Sequence, residues 1–278
     1  MDIAADLHVH TTASDGRLTL DALPTAARAG GVEVVAVTDH DTFHPGLDAP
    51  VSVRDGVTVI HGLELRVDVS ARTSEDGQTA SGDTGKRQVD LLGYGVRRTP
   101  ALTDELDRLQ RNRVERGAEL IERVESYVDV DLDVEPRPGI GRPHVARAID
   151  ASDAEYDYQG AFDHLIGDDG PCFVPREIPT FETGVELLSE ACSVVSLAHP
   201  FRYDDPEAAL SLATELDAVE RYYPYGFEVD ESLVDEVVER EGVLATGGSD
   251  AHGTELGVCG VPRKAFAAIR TRLPEAVA

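Results

Sequence analysis

Ile3-Ala4-Ala5-Asp6-Leu7-His8-Val9-His10 is the stretch on which the fold turns. It is a short apolar run that ends in two histidines, and the pattern returns along the chain. Val32 to Val37 runs into Thr38-Asp39-His40, and Val57 to Val67 carries Glu64 near its end. Val194 to Ala198 stops at His199, and Val243 to Thr246 leads to Gly248-Ser249-Asp250-Ala251-His252. Unbroken β-branched runs suit strands buried on both faces, the signature of a parallel sheet. Strand-helix alternation at both ends predicts an α/β, barrel-like domain over 1–98 and 186–278, with a mainly helical insertion over 99–185. In parallel barrels, active sites form at the C-terminal strand ends, where these histidines and acids fall.

Thr19 reads as the N-cap of a first helix running to about Ala29, with Gly30-Gly31 as its stop and Pro24 inside its first turns. Residues 70 to 87 are polar and glycine-rich, which predicts an exposed loop. Leu102, Leu106, Leu109, Val114, Leu120, Ile121 and Val124 recur at helical spacing in a charged stretch, hence a long exposed helix. No apolar stretch is long enough to span a bilayer, and the N-terminus lacks a basic segment followed by an apolar one. A cleaved leader would remove Asp6 to His10, so a cytoplasmic protein is expected. Cys172, Cys192 and Cys259 are isolated and read as small buried hydrophobes rather than a disulfide framework or a thiolate zinc site.

Fifty-three acids against 25 lysines and arginines give a net charge of −28, and Lys86 and Lys264 are the only lysines. The acids spread along the chain, among regular apolar runs that exclude a disordered polymer. A folded protein with a carboxylate-rich surface suits concentrated salt, where a Debye length of about 3 Å at molar strength stops like charges repelling. We expect a halophilic protein whose melting temperature falls on dialysis into low salt; an unchanged melting curve would refute this. The same charge opposes long-range attraction of nucleic acid, although a local basic pocket still grips phosphate.

His8 and His10 stand two apart in a strand, so both imidazoles face one side and reach one ion. Asp250 and His252 repeat that spacing among flanking glycines, and Asp15 follows the hydroxyl-rich turn Thr11-Thr12-Ala13-Ser14. Any one of these clusters reads as an ordinary polar turn; their recurrence after several strands favours a common site. The donors are nitrogen and oxygen without sulfur, which suits Zn, Mn or Fe(II). More ligands are available than the three or four that one ion needs, so two or three divalent ions are expected. Such centres hydrolyse esters, and phosphate esters are their natural substrates.

The ordered segments DLHVHTTASDG (6–16), AVTDHDT (36–42), HGLEL (61–65), AHP (198–200) and GGSDAHG (247–253) resemble the PHP family, named for polymerases and histidinol phosphatases. LLGYG (91–95), GRPHVARAI (141–149) and GPCFVPR (170–176) are similar to its stand-alone phosphoesterase branch, which includes enzymes of nucleoside bisphosphates and short RNA. The resemblance implies a distorted seven-stranded, TIM-like β/α barrel with a trinuclear centre. His8, His10, Glu64 and Asp250 would hold the first ion, and Asp15, His40 and His252 the second. Glu64 would bridge to a third ion held with His199 and Asp90, although relatives usually carry histidine at the place of Asp90. A hydroxide held between the first two ions would attack phosphorus in line. Arg142, His144, Arg176 and Arg202 are candidates for phosphate contacts, because an arginine fork matches phosphate oxygens; in so acidic a chain many arginines simply pair surface carboxylates.

The resemblance therefore implies a small phosphorylated substrate, such as a nucleotide, a nucleoside bisphosphate or a short 5′-phosphorylated RNA or DNA end. No membrane or protein partner is expected. A histidinol-phosphate phosphatase and a non-catalytic metal-binding domain are the alternatives.

Overall fold

The computed structural model describes residues 2–70 and 87–277. In chain order its elements are β1 (Ile3–Val9), α1 (Leu23–Gly30), β2 (Val34–Val37), β3 (Val51–Arg54), β4 (Val57–Asp68), β5 (Gln88–Tyr94), α2 (Pro100–Val128), α3 (Arg142–Asp150), α4 (Tyr158–Ala161), α5 (Phe181–Ala191), β6 (Val194–Leu197), α6 (Pro206–Ser211), β7 (Ala218–Tyr222), α7 (Glu231–Glu241), β8 (Leu244–Gly247), β9 (Val261–Pro262) and α8 (Arg263–Arg270). Most of the polar stretch expected to be an exposed loop, 71–86, lies outside the described residues.

The described strands form one sheet in the order β8-β7-β6-β5-β4-β2-β1-β9, with β3 also on β4. The path from β8 round to β9 gives a nearly closed, barrel-shaped sheet of eight strands, one more than the seven that the resemblance implies. Its seam is bridged where β1 meets the segment after β8: His10 N donates to Ala251 O at 3.1 Å, and Ala251 N to His8 O at 3.3 Å. Gly248 permits this approach, because a Cβ there would lie 2.3 Å from the His8 backbone nitrogen.

The expectation of a parallel sheet needs correction: the short β3 and β9 pair antiparallel with β4 and β1, and one longer strand departs as well. β1, β2 and β4 pair parallel, as do β6, β7 and β8. β5 runs antiparallel to both β4 and β6. An unbroken apolar run reports burial on both faces, and β5 is buried at six of its seven positions whatever its direction. Antiparallel neighbours also need no crossover helix.

The barrel interior is filled by Leu7, Ala36, Ile60, Leu92, Tyr94, Val194 and Ala218. On the outer face, Leu23 and Ala27 of α1 pack against Val35, Val37 and Val59. Burying each large side chain of this kind contributes about 1.5–3 kcal/mol. The helix begins at Leu23 rather than beside Thr19. Thr19 instead closes the preceding turn, its carbonyl accepting Ala22 N at 3.1 Å. Pro24 falls in the first turn, where its missing N–H costs nothing, and Gly31 at φ 72° ends the helix.

The chain divides into two compact units, Met1–Thr103 with Ile178–Ala278, and Asp104–Glu177. The second has its own core of Leu120, Val124, Ile140, Val145, Ile149, Leu165 and Ile166. The cysteines are free, with Cys172 buried and Cys192 and Cys259 half-buried. No described helix is long and apolar enough to cross a membrane.

Candidate metal centre

β1 delivers His8 and His10 to one side, as the two-residue period requires. His8 Nε2 lies 3.3 Å from Glu64 Oε2 and 3.5 Å from Asp250 Oδ1. His10 Nε2 lies 3.2 Å from each of the same two oxygens. His40, past the end of β2, brings Nδ1 to 3.0 Å from Glu64 Oε2 and Nε2 to 3.8 Å from Asp15 Oδ2. His252 Nε2 stands 3.3 Å from Asp15 Oδ1, and His199 Nε2 3.2 Å from Glu64 Oε1. Eight of the expected residues, from four strand ends and two turns, thus meet at one mouth of the barrel.

Among the described residues, three groups bring ligand atoms within 4.8 Å of one another: His10, Asp15, His40 and His252; His8, Glu64 and His199; and His8, His10 and Asp250. The chemistry of these atoms fits cations. His8 Nε2, both ring nitrogens of His10 and Glu64 Oε2 are buried and make no hydrogen bond. Unsatisfied buried polar atoms are costly, and native proteins keep them where something else binds. Burial opposes charge on His10, yet the Asp250 and Glu64 carboxylates raise it to about 10. Burial likewise opposes the Glu64 charge, but the surrounding imidazoles, His40 foremost, hold its carboxyl well below the ordinary range. The pocket therefore favours positive charge at its centre.

A layer of buried acids fixes these ligands. Glu220 of β7 accepts from His8 Nδ1 at 3.1 Å and from the His199 backbone N–H at 2.7 Å. With Nδ1 as donor, the Nε2 lone pair of His8 faces the centre. Asp39 accepts Thr11 N, Thr11 Oγ1 and Ser14 Oγ at 2.7–2.8 Å, so it braces the turn that carries Asp15. Asp6 accepts Ser249 N, Ser249 Oγ and Gly257 N at 2.7–2.9 Å and braces the turn that carries Asp250 and His252. His199 at φ 28° and Asp250 at φ 52° occupy the left-handed region that non-glycine residues avoid. Such strain gathers where function sets the backbone.

Glu220 and Asp6 lie outside the ligand set that the sequence motifs mark out. Their one signal is a lone carboxylate inside an otherwise apolar strand. Tyr223 also reaches the centre: its hydroxyl donates to Asp250 Oδ2 at 2.7 Å and accepts from Arg202 Nη1 at 2.7 Å. Arg202 thus stands exposed at the rim, 3.4 Å from Asp250 Oδ2.

Asp90 meets a guanidinium: Arg66 Nε and Nη2 donate to its two carboxylate oxygens at 2.8 and 2.7 Å, and Asp90 belongs to none of the three groups. Arg142, His144 and Arg176 belong to the second unit. There Arg142 pairs with Asp168 at 2.6 Å, His144 Nδ1 accepts Gly141 N at 3.1 Å to cap α3, and Arg176 is half-buried. His61 Nε2 accepts His44 N at 3.2 Å; neither ring joins the three ligand groups.

A model described as "PHP domain" matches residues 6–170. The phosphoribosyl 1,2-cyclic phosphate 1,2-diphosphodiesterase of Eggerthella lenta is 30% identical over 264 residues, covering 89% of this chain and 94% of that protein. The 3′,5′-nucleoside bisphosphate phosphatase of Chromobacterium violaceum is 26% identical over 270 residues, covering 89% and 86%. A Bifidobacterium adolescentis structure assigned to the metal-dependent phosphoesterases superposes with a TM-score of 0.77 at 21% identity, covering 98% and 97% of the two chains, and shares the fold.

Proposed function

Because this chain belongs to the PHP family, and is a metal-dependent phosphoesterase, we propose that it hydrolyses a ribose-based phosphate ester such as a nucleotide or nucleoside bisphosphate. The observation that carries the reading is the sharing of His8 and His10 among three ligand groups only a few ångströms apart, with the lone pairs of their buried Nε2 atoms and of Glu64 Oε2 otherwise unused. In support of the substrate class, the two relatives that match almost end to end are both named for phosphate esters on a ribose.

In this reading His8, His10 and Asp250 hold one divalent ion, and Asp15, His40 and His252 a second. Glu64 Oε2 lies 3.0–3.3 Å from His8, His10 and His40, which suits a carboxylate shared by both ions. Nitrogen and oxygen donors suit Mn, Zn or Fe(II). When bound, the ions lower the pKa of water and neutralise charge on the leaving oxygen. The chain's own part is to fix these ligands through Glu220, Asp39 and Asp6, and to offer Arg202 at the rim to phosphoryl oxygens. Arg142, His144 and Arg176 enter the proposal as phosphate contacts on side-chain chemistry alone.

The test is a metal-supplemented screen of wild type and His10→Ala against nucleotides, 3′,5′-bisphosphates and short 5′-phosphorylated RNA. Release of inorganic phosphate from the small esters should need added Mn or Zn, vanish with a chelator and return with metal. His10→Ala should lose roughly 10²–10³-fold, a scale typical of removing one interaction at the reacting centre. Equal turnover by both proteins would overturn the assignment. Stepwise shortening of RNA, with the small esters untouched, would replace the substrate class by an oligonucleotide.

A further inference from the structure

Arg66 and Asp90 form a fixed charge pair beside the metal ligands. β4 places Glu64 and Arg66 two residues apart, hence on one face of the sheet. The antiparallel register sets Asp90 directly opposite Arg66. The guanidinium grips both carboxylate oxygens in a two-pronged fork at 2.8 and 2.7 Å. The main chain of Asp90 is tied as well: its N–H donates to Tyr203 Oη at 2.8 Å, and its carbonyl accepts Ala198 N at 3.0 Å. Asp90 Oδ2 then lies 3.8 Å from His199 Nε2, which in turn lies 3.2 Å from Glu64 Oε1.

Ligand arithmetic gives this pair its meaning. Two of the three cation-competent groups draw on His8, yet His8 has a single lone pair to give, because its Nδ1 is committed to Glu220. If His8 serves the ion held with His10 and Asp250, only Glu64 and His199 remain for an ion on the other side. Asp90 is a further carboxylate beside them, 3.8 Å from His199 Nε2, and Arg66 already neutralises it.

We propose that the Arg66 guanidinium stands where a third cation would otherwise be held, so that the loaded enzyme carries two ions and one permanent organic charge, and that Arg66 contacts the phosphate of the substrate. Its side chain is 35% exposed, and among the described residues Nη1 has no protein partner. A guanidinium presents its donors in the plane that phosphoryl oxygens match, and Asp90 holds that plane still. Unlike a metal ion, it cannot dissociate or be chelated.

The inference rests on the phosphoesterase reading, and two readouts keep their failures apart. The first is elemental analysis of protein loaded with excess Mn and freed of unbound ion. Two equivalents per chain are expected in wild type and in Arg66→Lys, and a third in Arg66→Met/Asp90→His, where an imidazole lone pair is no longer tied to a guanidinium. Three tightly held equivalents in wild type would overturn the proposal, and wild type alone suffices if the double variant does not fold. The second readout is kinetic. Arg66→Lys keeps the charge but loses the fork, and should cost about tenfold in kcat/KM with the metal content still at two; Arg66→Met/Asp90→Asn, which removes both charges together, should cost about a hundredfold. Wild-type kcat/KM in both variants would also overturn it. An absence of hydrolysis in wild type with every metal and ester would sink the phosphoesterase reading, while the ion count would still judge the role of Arg66.

Discussion

Glu64→Gln should lose at least about 10³-fold in kcat/KM, equivalent to roughly 4 kcal/mol of transition-state stabilisation. Glu64 is buried where four imidazoles converge: His8, His10 and His40 on Oε2, and His199 on Oε1. Glutamine keeps the shape but removes the negative charge and replaces one acceptor by a donor. That amide would oppose the lone pairs it faces or the ions they hold. The loss should appear twice, as fewer equivalents of bound Mn on elemental analysis and as lower turnover at saturating metal. Full metal content with kcat/KM within tenfold of wild type would show that the carboxylate bridges nothing.

Glu220→Ala should weaken metal binding by about 10–100-fold, the scale seen when an outer partner of a ligating histidine is removed. Glu220 touches two ligands by different routes, the ring of His8 and the backbone of His199. Without it, His8 is free to adopt the other tautomer, and the His199 amide is left buried with no acceptor. An unpaired buried donor costs about 1–3 kcal/mol, so the metal-free protein should also melt earlier. Measuring both properties separates the effects: a metal titration reads the His8 ring, and the metal-free melt reads the His199 amide. Unchanged metal affinity would mean that His8 is oriented by packing alone.

The residues that gather at the barrel mouth were legible because most stand within or just past an apolar strand, and because alternation in β1 forces His8 and His10 to share a side. Seven strands of the sheet were legible from the same runs. Strand direction was not, because the burial pattern of β5 is the same for either sense. The start of α1 was misplaced because Thr19 closes a turn instead of capping the helix. Glu220 went unnoticed because a single acid in Ala218-Val219-Glu220 looks like a strand reaching solvent, whereas the strand is buried there. The grip of Arg66 on Asp90 depends on the register of two antiparallel strands, which spacing in one sequence does not encode.

In the proposed centre His8 and His10 would offer their rings to cations, while their main chains bond Ala251, which lies between Asp250 and His252. Ion capture and closure of the cylinder would therefore occur at a single joint. Each cation settling there would fasten the first strand to the turn after β8, far along the chain, so loading the catalyst and locking its frame would be one event.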